Sequence, residues 1–341
     1  MITYIFYNVK RIGVNMLNLV RNELIKIFKR KNIYVLFLVV ILVIMGYNMF
    51  ERYSNNIKNI DISEQYTRAY NQDKMYLENY ENLNLDESYS DILERVNLEK
   101  YAIENNIQYN ILLNTENKNA ILPSDARILL MKFFNNFDII IIFIIIYLAS
   151  TIIYEEYSNG TIKNLLVKPH KRSSILFSKV TTTILVTLFI TIAIILFQYV
   201  IGGIIFGFDS YSLDAIRYNH ITQNIEVMNL GYYMLLIFAA KIPMYLLVIL
   251  ISLLLSVFIN NIGINILISL GLYMVANLET LFNNITKYLF MYNWDISKYI
   301  FGNVEIINNK ISSPIIISSV WIILITTVLF IGFNKKDIVN E

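Results

Sequence analysis

Lys241 is the residue whose type and position most clearly suggest a specific role. It lies well inside a long apolar run, two residues before Pro243, and a charged side chain is costly to bury in a membrane. Two interpretations are open: a residue of a substrate path or gate, or a lysine that reaches the outer interface because the span begins later. Glu279, near the outer end of the next apolar run, is a candidate partner.

Residue patterns typical of enzymes are missing from the sequence. It contains no G-x-x-x-x-G-K-[ST] phosphate loop, no G-x-S-x-G elbow and no helical histidine pair for a metal ion. There are 0 cysteines and 2 histidines, and the predicted topology separates His170 from His220. We therefore predict no catalytic residue, no metal site and no enzymatic activity of the chain by itself.

The composition is that of an integral membrane protein. Apolar residues make up 56% of the 341 residues and charged residues 16%, against roughly 45–50% and 25% in soluble domains. The mean hydropathy is +0.52. With 28 basic and 26 acidic residues the net charge is +2, so a nucleic-acid partner is not expected.

Six apolar runs are long enough to cross a bilayer. The sequence therefore predicts an all-α membrane protein with six transmembrane helices, an N-terminal interfacial helix and an external helical domain between the first two. The predicted spans are 33–50, 137–154, 180–206, 232–259, 262–282 and 314–333.

The distribution of basic residues predicts the orientation of these spans. Segments 1–32, 154–179, 260–261 and 334–341 together carry 14 Lys and Arg, against 4 in the opposite short loops. Because basic residues are retained on the cytoplasmic side, we expect a multi-pass protein of the cell membrane with both termini in the cytoplasm. Residues 51–136 are then external, and their helical spacing of apolar residues favours a hairpin that braces the spans or binds a cationic peptide.

The cytoplasmic N-terminus contains an amphipathic stretch before the first span. Between residues 16 and 31, one helical face carries Leu17, Val20, Leu24, Ile27 and Phe28, whereas Lys26 lies on the polar face. This pattern predicts an interfacial helix on the lipid bilayer. It serves either as a positively charged anchor or as part of a docking site for a cytoplasmic partner.

Segment 155–179 is the most informative connection, because a short helix is predicted within it. Apolar Ile162, Leu165 and Leu166 share one face, and Pro169 ends the helix. Basic Lys171 and Arg172 follow. Such a helix either inserts into a groove of another protein or lies flat on the membrane.

Two groups of residues carry a resemblance to a known family. The residues are Glu156, Gly160-Thr161, Leu165-Leu166, Pro169, Lys171-Arg172 and Lys179, and before the first span Arg21-Asn22-Glu23-Leu24-x-Lys26. This pattern and the six-span layout resemble the ABC-2-type ABC transporter permeases, a family of bacterial multidrug and antibiotic exporters. The long insertion 51–136 departs from the smaller members of that family.

The resemblance implies a function and a set of partners. The helix around 160–167 is similar to the coupling helix that docks onto a separate ABC ATPase subunit, which binds ATP and Mg; this chain is expected to bind no cofactor. The family works as two permeases, identical copies or sister subunits, with two ATPases. We expect export of an amphipathic substrate such as a peptide antibiotic, a drug or a lipid-linked compound. A non-transporting sensor with an external ligand-binding domain is the alternative, and an ion-driven secondary transporter ranks third.

Overall fold

The computed structural model describes most of the chain. The described residues are 16–56, 62–80, 89–105, 111–112, 126–158, 160, 171–208, 213–219, 224–276, 293–297 and 312–336. The helices are α1 (16–28), α2 (Lys31–Asn56), α3 (Ile62–Glu78), α4 (Tyr89–Glu104), α5 (Ala126–Asn136), α6 (Asp138–Ser158), α7 (Arg172–Phe206), α8 (Leu230–Phe258), α9 (Ile262–Ala276) and α10 (Ser312–Lys335). The strands are β1 (Ile111–Leu112), β2 (Asp214–Asn219) and β3 (Asn224–Asn229).

The chain is a mostly helical membrane protein, as the sequence predicts. In the described residues, 5 helices are long and apolar enough to cross a membrane, and they are α2, α6, α7, α8 and α10. Helix α9 is apolar but has 15 residues, fewer than the roughly 20 that a span needs. The last part of the predicted fifth span, 277–282, lies outside the described residues.

Helix α7 begins eight residues before the predicted third span, which starts at residue 180. Residues 172–179, which belong to the predicted cytoplasmic segment 155–179, are therefore its first two turns. The hydropathy of the sequence locates only the apolar part of a helix, whereas the backbone hydrogen bonds continue through polar residues such as Lys179.

The two ends of the bundle of long helices differ in their contacts. Arg172, at the start of α7, donates hydrogen bonds to the carbonyl oxygens of Asn334 and Lys336, at 3.0 and 3.3 Å. We call this end the terminal side, because α1 and the end of α10 both lie there. At the opposite end, Lys132 of α5 lies 3.3 Å from Glu51 of α2. We call that end the sheet side, because β3 leads directly into the first residue of α8.

Helices α6 and α8 form the centre of the bundle. They pack against each other, and α7, α9 and α10 each pack against at least one of them. Ile142 and Ile146 of α6 and Leu247 and Leu253 of α8 are completely buried. Polar side chains also meet inside the bundle: Asn265 of α9 donates to the carbonyl oxygen of Ser252 at 3.1 Å.

A small sheet is the feature that the sequence analysis did not predict. Strand β2 pairs in parallel with β1, through Ile111 and Ala215, and antiparallel with β3, through Ile216 and Val227. Strand β3 ends where α8 begins, and the Asn229 side chain caps α8 by accepting a hydrogen bond from the Gly231 amide at 2.9 Å. The sheet thereby fixes the position at which α8 starts.

Helices α3 and α4 pack against each other. Arg95 of α4 lies between them with its Nε 2.9 Å from Asp73 of α3, and both side chains are about nine-tenths buried. Tyr66 is also buried, in a cluster with Leu98, Ala102 and Ile216. Burial and the nearby charge of Glu99 raise the pKa of the Tyr66 phenol to about 12. That this hairpin is external remains a prediction.

Candidate functional site

Four charged side chains form a network on the terminal side. The Lys179 ammonium lies 3.1 Å from Glu23 and 3.4 Å from Glu156, and it also donates to the carbonyl oxygen of Ile152 at 3.1 Å. Lys26 approaches the same two carboxylates, at 2.6 Å from Glu156 and 3.2 Å from Glu23. We call these four residues the terminal-side network; it contains two positive and two negative charges.

The network joins three separate stretches of the chain. Glu23 and Lys26 belong to α1, Glu156 lies in the last turn of α6, and Lys179 lies in the second turn of α7. Lys179 is completely buried, and the Glu23 and Glu156 side chains are more than nine-tenths buried. A buried charge needs partners of opposite sign to offset its loss of hydration. The position of α1 is therefore tied to the ends of α6 and α7.

Lys26 is the exposed member of the network. Its side chain is 45% exposed. Partial burial lowers the pKa of its ammonium, but the hydrogen bond to Glu156 and the negative charges of Glu23 and Glu156 outweigh this effect. The pKa therefore lies above the ordinary lysine value, and Lys26 carries a positive charge at neutral pH.

Arg30 extends this contact at the beginning of α2. Its guanidinium lies 2.7 Å from Glu155, and it donates to the Thr151 hydroxyl at 3.3 Å. The two neighbouring carboxylates at the end of α6, Glu155 and Glu156, are thus bound by different basic residues. The N-terminal region is therefore joined to the end of α6 by ion pairs at two adjacent residues.

The apolar face predicted for the interfacial helix is only partly in contact with the bundle. Residues 16–28 are helical. Leu24 and Phe28 pack against the core, and the rings of Phe28 and Phe189 are nearly perpendicular with their centroids 5.9 Å apart. Val20 is half-buried, and Leu17 is 70% exposed. The face that binds the bundle is centred on Glu23 and Ile27, because the ion pairs of Glu23 turn it inward.

The predicted coupling residues lie partly outside the described residues, which omit Thr161, Ile162, Leu165, Leu166 and Pro169. Gly160 follows α6 with a φ of 65°, a left-handed conformation that favours glycine. Lys171 precedes α7 in an extended conformation, and Arg172 contacts the end of α10. The end of the segment next to α7 is therefore held in place by α10.

A second buried charge cluster lies on the sheet side. Lys241 of α8 is 6% exposed, and its ammonium lies 2.9 Å from Asp138, the first residue of α6. Asp295 lies 3.9 Å from the same ammonium, and the Tyr245 hydroxyl donates to Asp138 at 3.0 Å. We call these four residues the sheet-side cluster. Glu279, the partner expected for Lys241, lies outside the described residues.

The sheet-side cluster connects α6, α8 and the segment 293–297 through charge. Asp138 is also well placed for its own helix, because a carboxylate at a helix N-terminus interacts favourably with the backbone amides. Within the described ranges, no group of three or more His, Cys, Asp and Glu residues is arranged to hold a metal ion. The chemistry available to the cluster is ion pairing and hydrogen bonding.

A family match covers the sheet-side cluster and two of the four residues of the terminal-side network. The profile of a family described as "Protein of unknown function (DUF2705)" matches residues 108–339, which is more than half of the chain. The chain belongs to the DUF2705 family. The uncharacterized protein YhcI of Bacillus subtilis (strain 168) is 24% identical over 332 residues, which are 95% of this chain and 100% of the relative.

The matched region of this DUF2705 protein contains Glu156, Lys179 and the sheet-side cluster, whereas α1 precedes it. The sequence singles out Lys26 and Lys241 by their own positions, whereas Glu23, Glu156 and Lys179 enter only through the resemblance. None of their pairings was predicted. Glu23 could have been recognised as a partner of a basic residue, because it is an acidic residue next to apolar Leu24 on an otherwise basic helix.

Proposed function

We propose that this DUF2705 protein is the membrane-spanning permease subunit of an ATP-driven ABC exporter. The observation that carries the proposal is the terminal-side network. The residues that resemble ABC-2-type permeases come from three distant parts of the sequence, and four of them, Glu23, Lys26, Glu156 and Lys179, meet within 3.4 Å of a partner. Their meeting in one site gives a structural reason for the presence of all four motif residues in the same chain.

The geometry supports a mechanical role for the segment between α6 and α7. Glu156 lies in the last turn of α6, before this segment, and Lys179 in the second turn of α7, after it, so a force on the intervening residues reaches both residues through their helices. Because Glu23 and Lys26 bind the same ends, α1 moves with them. An ATPase subunit that binds the segment through Leu165 and Leu166 would thereby transmit its nucleotide-driven motion to α2, α6 and α7 together.

The proposal includes the partners and the location that the resemblance implies. The chain works with a second permease, identical or a sister subunit, and with ATPase subunits that bind ATP and Mg. It resides in the cell membrane with both termini in the cytoplasm. The cargo is an amphipathic compound such as a peptide antibiotic, a drug or a lipid-linked molecule, and it moves outward.

The proposal is tested by identifying what remains bound to the tagged full-length chain after gentle extraction from its native membrane. We expect mass spectrometry to recover a P-loop ATPase with the wild type. The variant Leu165→Asp/Leu166→Asp should lose it, because two carboxylates cannot enter an apolar groove without large desolvation cost.

The matched control introduces two carboxylates at exposed apolar residues far from the segment, Met75→Asp/Val227→Asp, which are 54% and 49% exposed. This variant should retain the ATPase. If no ATPase accompanies the folded wild type, the exporter assignment is wrong and a membrane sensor becomes the better hypothesis.

A further inference from the structure

A cavity of about 420 Å³ lies between α5, α7 and α8. Its walls include Leu130 and Met131 of α5, Ile192 and Ile195 of α7, and Met234 and Phe238 of α8. None of the residues that line it has a charged or hydrogen-bonding side chain, so it offers its contents only apolar contacts. Its volume falls within the roughly 300–1,000 Å³ that ligand pockets of proteins usually have.

The cavity lies in the sheet-side halves of α7 and α8, two helices that are long and apolar enough to span a membrane. Its α8 residues occupy the first nine positions of that helix, next to β3. Ile192 lies twenty residues after the start of α7, a distance of about 30 Å along a helix. Five helices of the described chain are membrane spans by length and composition, and α7 and α8 are two of them. The expected surroundings of the cavity are therefore hydrocarbon.

The cavity opens sideways to those surroundings. Leu235 and Ile192 at its rim are 68% and 48% exposed, whereas Met131 and Ile237 in its wall are 9% and 6% exposed. Exposed apolar residues on a spanning helix face lipid chains. Water is not favoured in such a cavity, because apolar walls offer it no hydrogen bonds.

A polar boundary lies at one end of the cavity. Asn229 caps α8 two residues before Gly231, which lines the cavity. Arg127 precedes Leu130 by one turn of α5, and the neighbouring Ala126 lies near Gly202, close to the sheet-side end of α7. Arg127 and Asn229 thus lie within one helical turn of lining residues on the sheet side, where their side chains suit a lipid headgroup, and the interior of the cavity suits a hydrocarbon chain.

We propose that this cavity binds one acyl chain of a phospholipid from the sheet-side leaflet, with the headgroup at the level of Arg127 and Asn229. The proposal rests on the shape, depth and chemistry of the cavity and does not depend on the exporter assignment. The bound chain fills the space between α5, α7 and α8 and so stabilises the contact of α5 with the spans.

The test uses the full chain in phosphatidylglycerol vesicles that contain a phosphatidylglycerol with a diazirine in one acyl chain. After illumination, mass spectrometry maps the residues that carry lipid. We expect Met131 and Met234 to be labelled above Leu324, a 46% exposed residue of α10 that lies away from the cavity. An unoccupied cavity would leave the buried Met131 labelled less than Leu324.

Two variants fill the cavity, and one matched variant does not. Leu130→Trp places a larger ring inside it, and Leu235→Trp blocks the rim at a 68% exposed position that needs no core rearrangement. Each should lower labelling of Met131 about tenfold, because excluding even two methylenes from apolar contact changes occupancy by that factor. Leu42→Trp, on α2 at a 58% exposed position outside the cavity, should leave labelling unchanged.

Two results would overturn the proposal. Labelling of Met131 that is no higher than that of Leu324 and insensitive to Leu235→Trp would indicate ordinary boundary lipid. Labelling of Leu324 with no labelling of Met131 or Met234 would indicate that no acyl chain enters the cavity and that other protein covers it. Size-exclusion profiles of all variants establish that they fold, and Leu235→Trp keeps the test decisive if Leu130→Trp does not.

Discussion

Lys241 illustrates how a single buried charge is held in an apolar bundle. Its ammonium pairs with Asp138 at 2.9 Å, and Asp295 lies 3.9 Å away. We predict that Lys241→Met lowers the free energy of unfolding by about 3–5 kcal/mol, because it leaves buried carboxylates without a counter-charge. Thermal and denaturant unfolding of the protein in detergent measure this change.

The chain offers its own control for this prediction. Lys132 pairs with Glu51 at 3.3 Å, but its side chain is 27% exposed, so Lys132→Met should cost about 1 kcal/mol or less. The double variant Lys241→Met/Asp138→Asn should recover part of the loss, since it removes a charge of each sign. Equal costs for Lys241→Met and Lys132→Met would mean that the sheet-side cluster is hydrated and does not brace the bundle.

Helices α3 and α4 show the same principle at the scale of elements. Their ion pair between Arg95 and Asp73 is about nine-tenths buried. We predict that Arg95→Met loosens this hairpin, because it leaves the Asp73 carboxylate buried beside an apolar side chain. Limited proteolysis should then cut within α3 or α4 at least about tenfold faster, which corresponds to 1.4 kcal/mol of local opening.

A neighbouring ion pair supplies the comparison. Lys100 and Glu104 of α4 lie 3.8 Å apart, and their side chains are 57% and 61% exposed. Lys100→Met should not change the cleavage rate, because an exposed pair contributes little. The prediction fails if Arg95→Met and Lys100→Met are cleaved at the same rate as the wild type.

The sequence predicts an element when a short continuous stretch of residues is enough to determine it. A spanning helix needs a continuous apolar run, and hydropathy located α2, α6, α7, α8 and α10 because each contains such a run. The alternation in β2 and β3 covers six residues each and lies in a connection read as a loop. Strand β1 is separated from β2 by about a hundred residues, so no local pattern could have placed it there.

The candidate sites follow the same rule. Lys241 was recognisable because one charge within an apolar run is a local anomaly. Its partner Asp138 lies 103 residues away in the sequence, and the pairing of Glu23 with Lys179 spans 156 residues. Sequence identified the residue types, whereas the packing of α6 against its neighbours determines which charges meet.

At the scale of the whole molecule, charge is concentrated at the two ends of the bundle. The terminal-side network binds α1 to α6 and α7, and the sheet-side cluster binds α6 to α8. Helix α6 belongs to both, through Glu156 near its end and Asp138 at its start. Because α6 is also the most enclosed of the five apolar spans, a displacement at its terminal-side end is expected to reach the sheet side without an intervening flexible joint.

The orientation of the whole molecule is directly testable, because the sequence contains 0 cysteines. We predict that a single cysteine at exposed Met75 of α3 reacts with a membrane-impermeant maleimide in intact cells, because the excess of basic residues retains the opposite side in the cytoplasm. A single cysteine at Asn18 of α1, also exposed, should react only after the membrane is permeabilised. Labelling is read by gel shift of the tagged chain.

The unmodified chain is the control, since without cysteines it should show no shift under either condition. A third variant, Lys335→Cys in the last turn of α10, should behave like Asn18→Cys, because Arg172 binds the backbone at Asn334 and Lys336 on the terminal side. Labelling of Asn18→Cys and Lys335→Cys in intact cells, with Met75→Cys protected, would invert the orientation. The segment between α6 and α7 would then face away from the cytoplasm, where no ATP-hydrolysing partner could reach it, and the proposed function would fail with the topology.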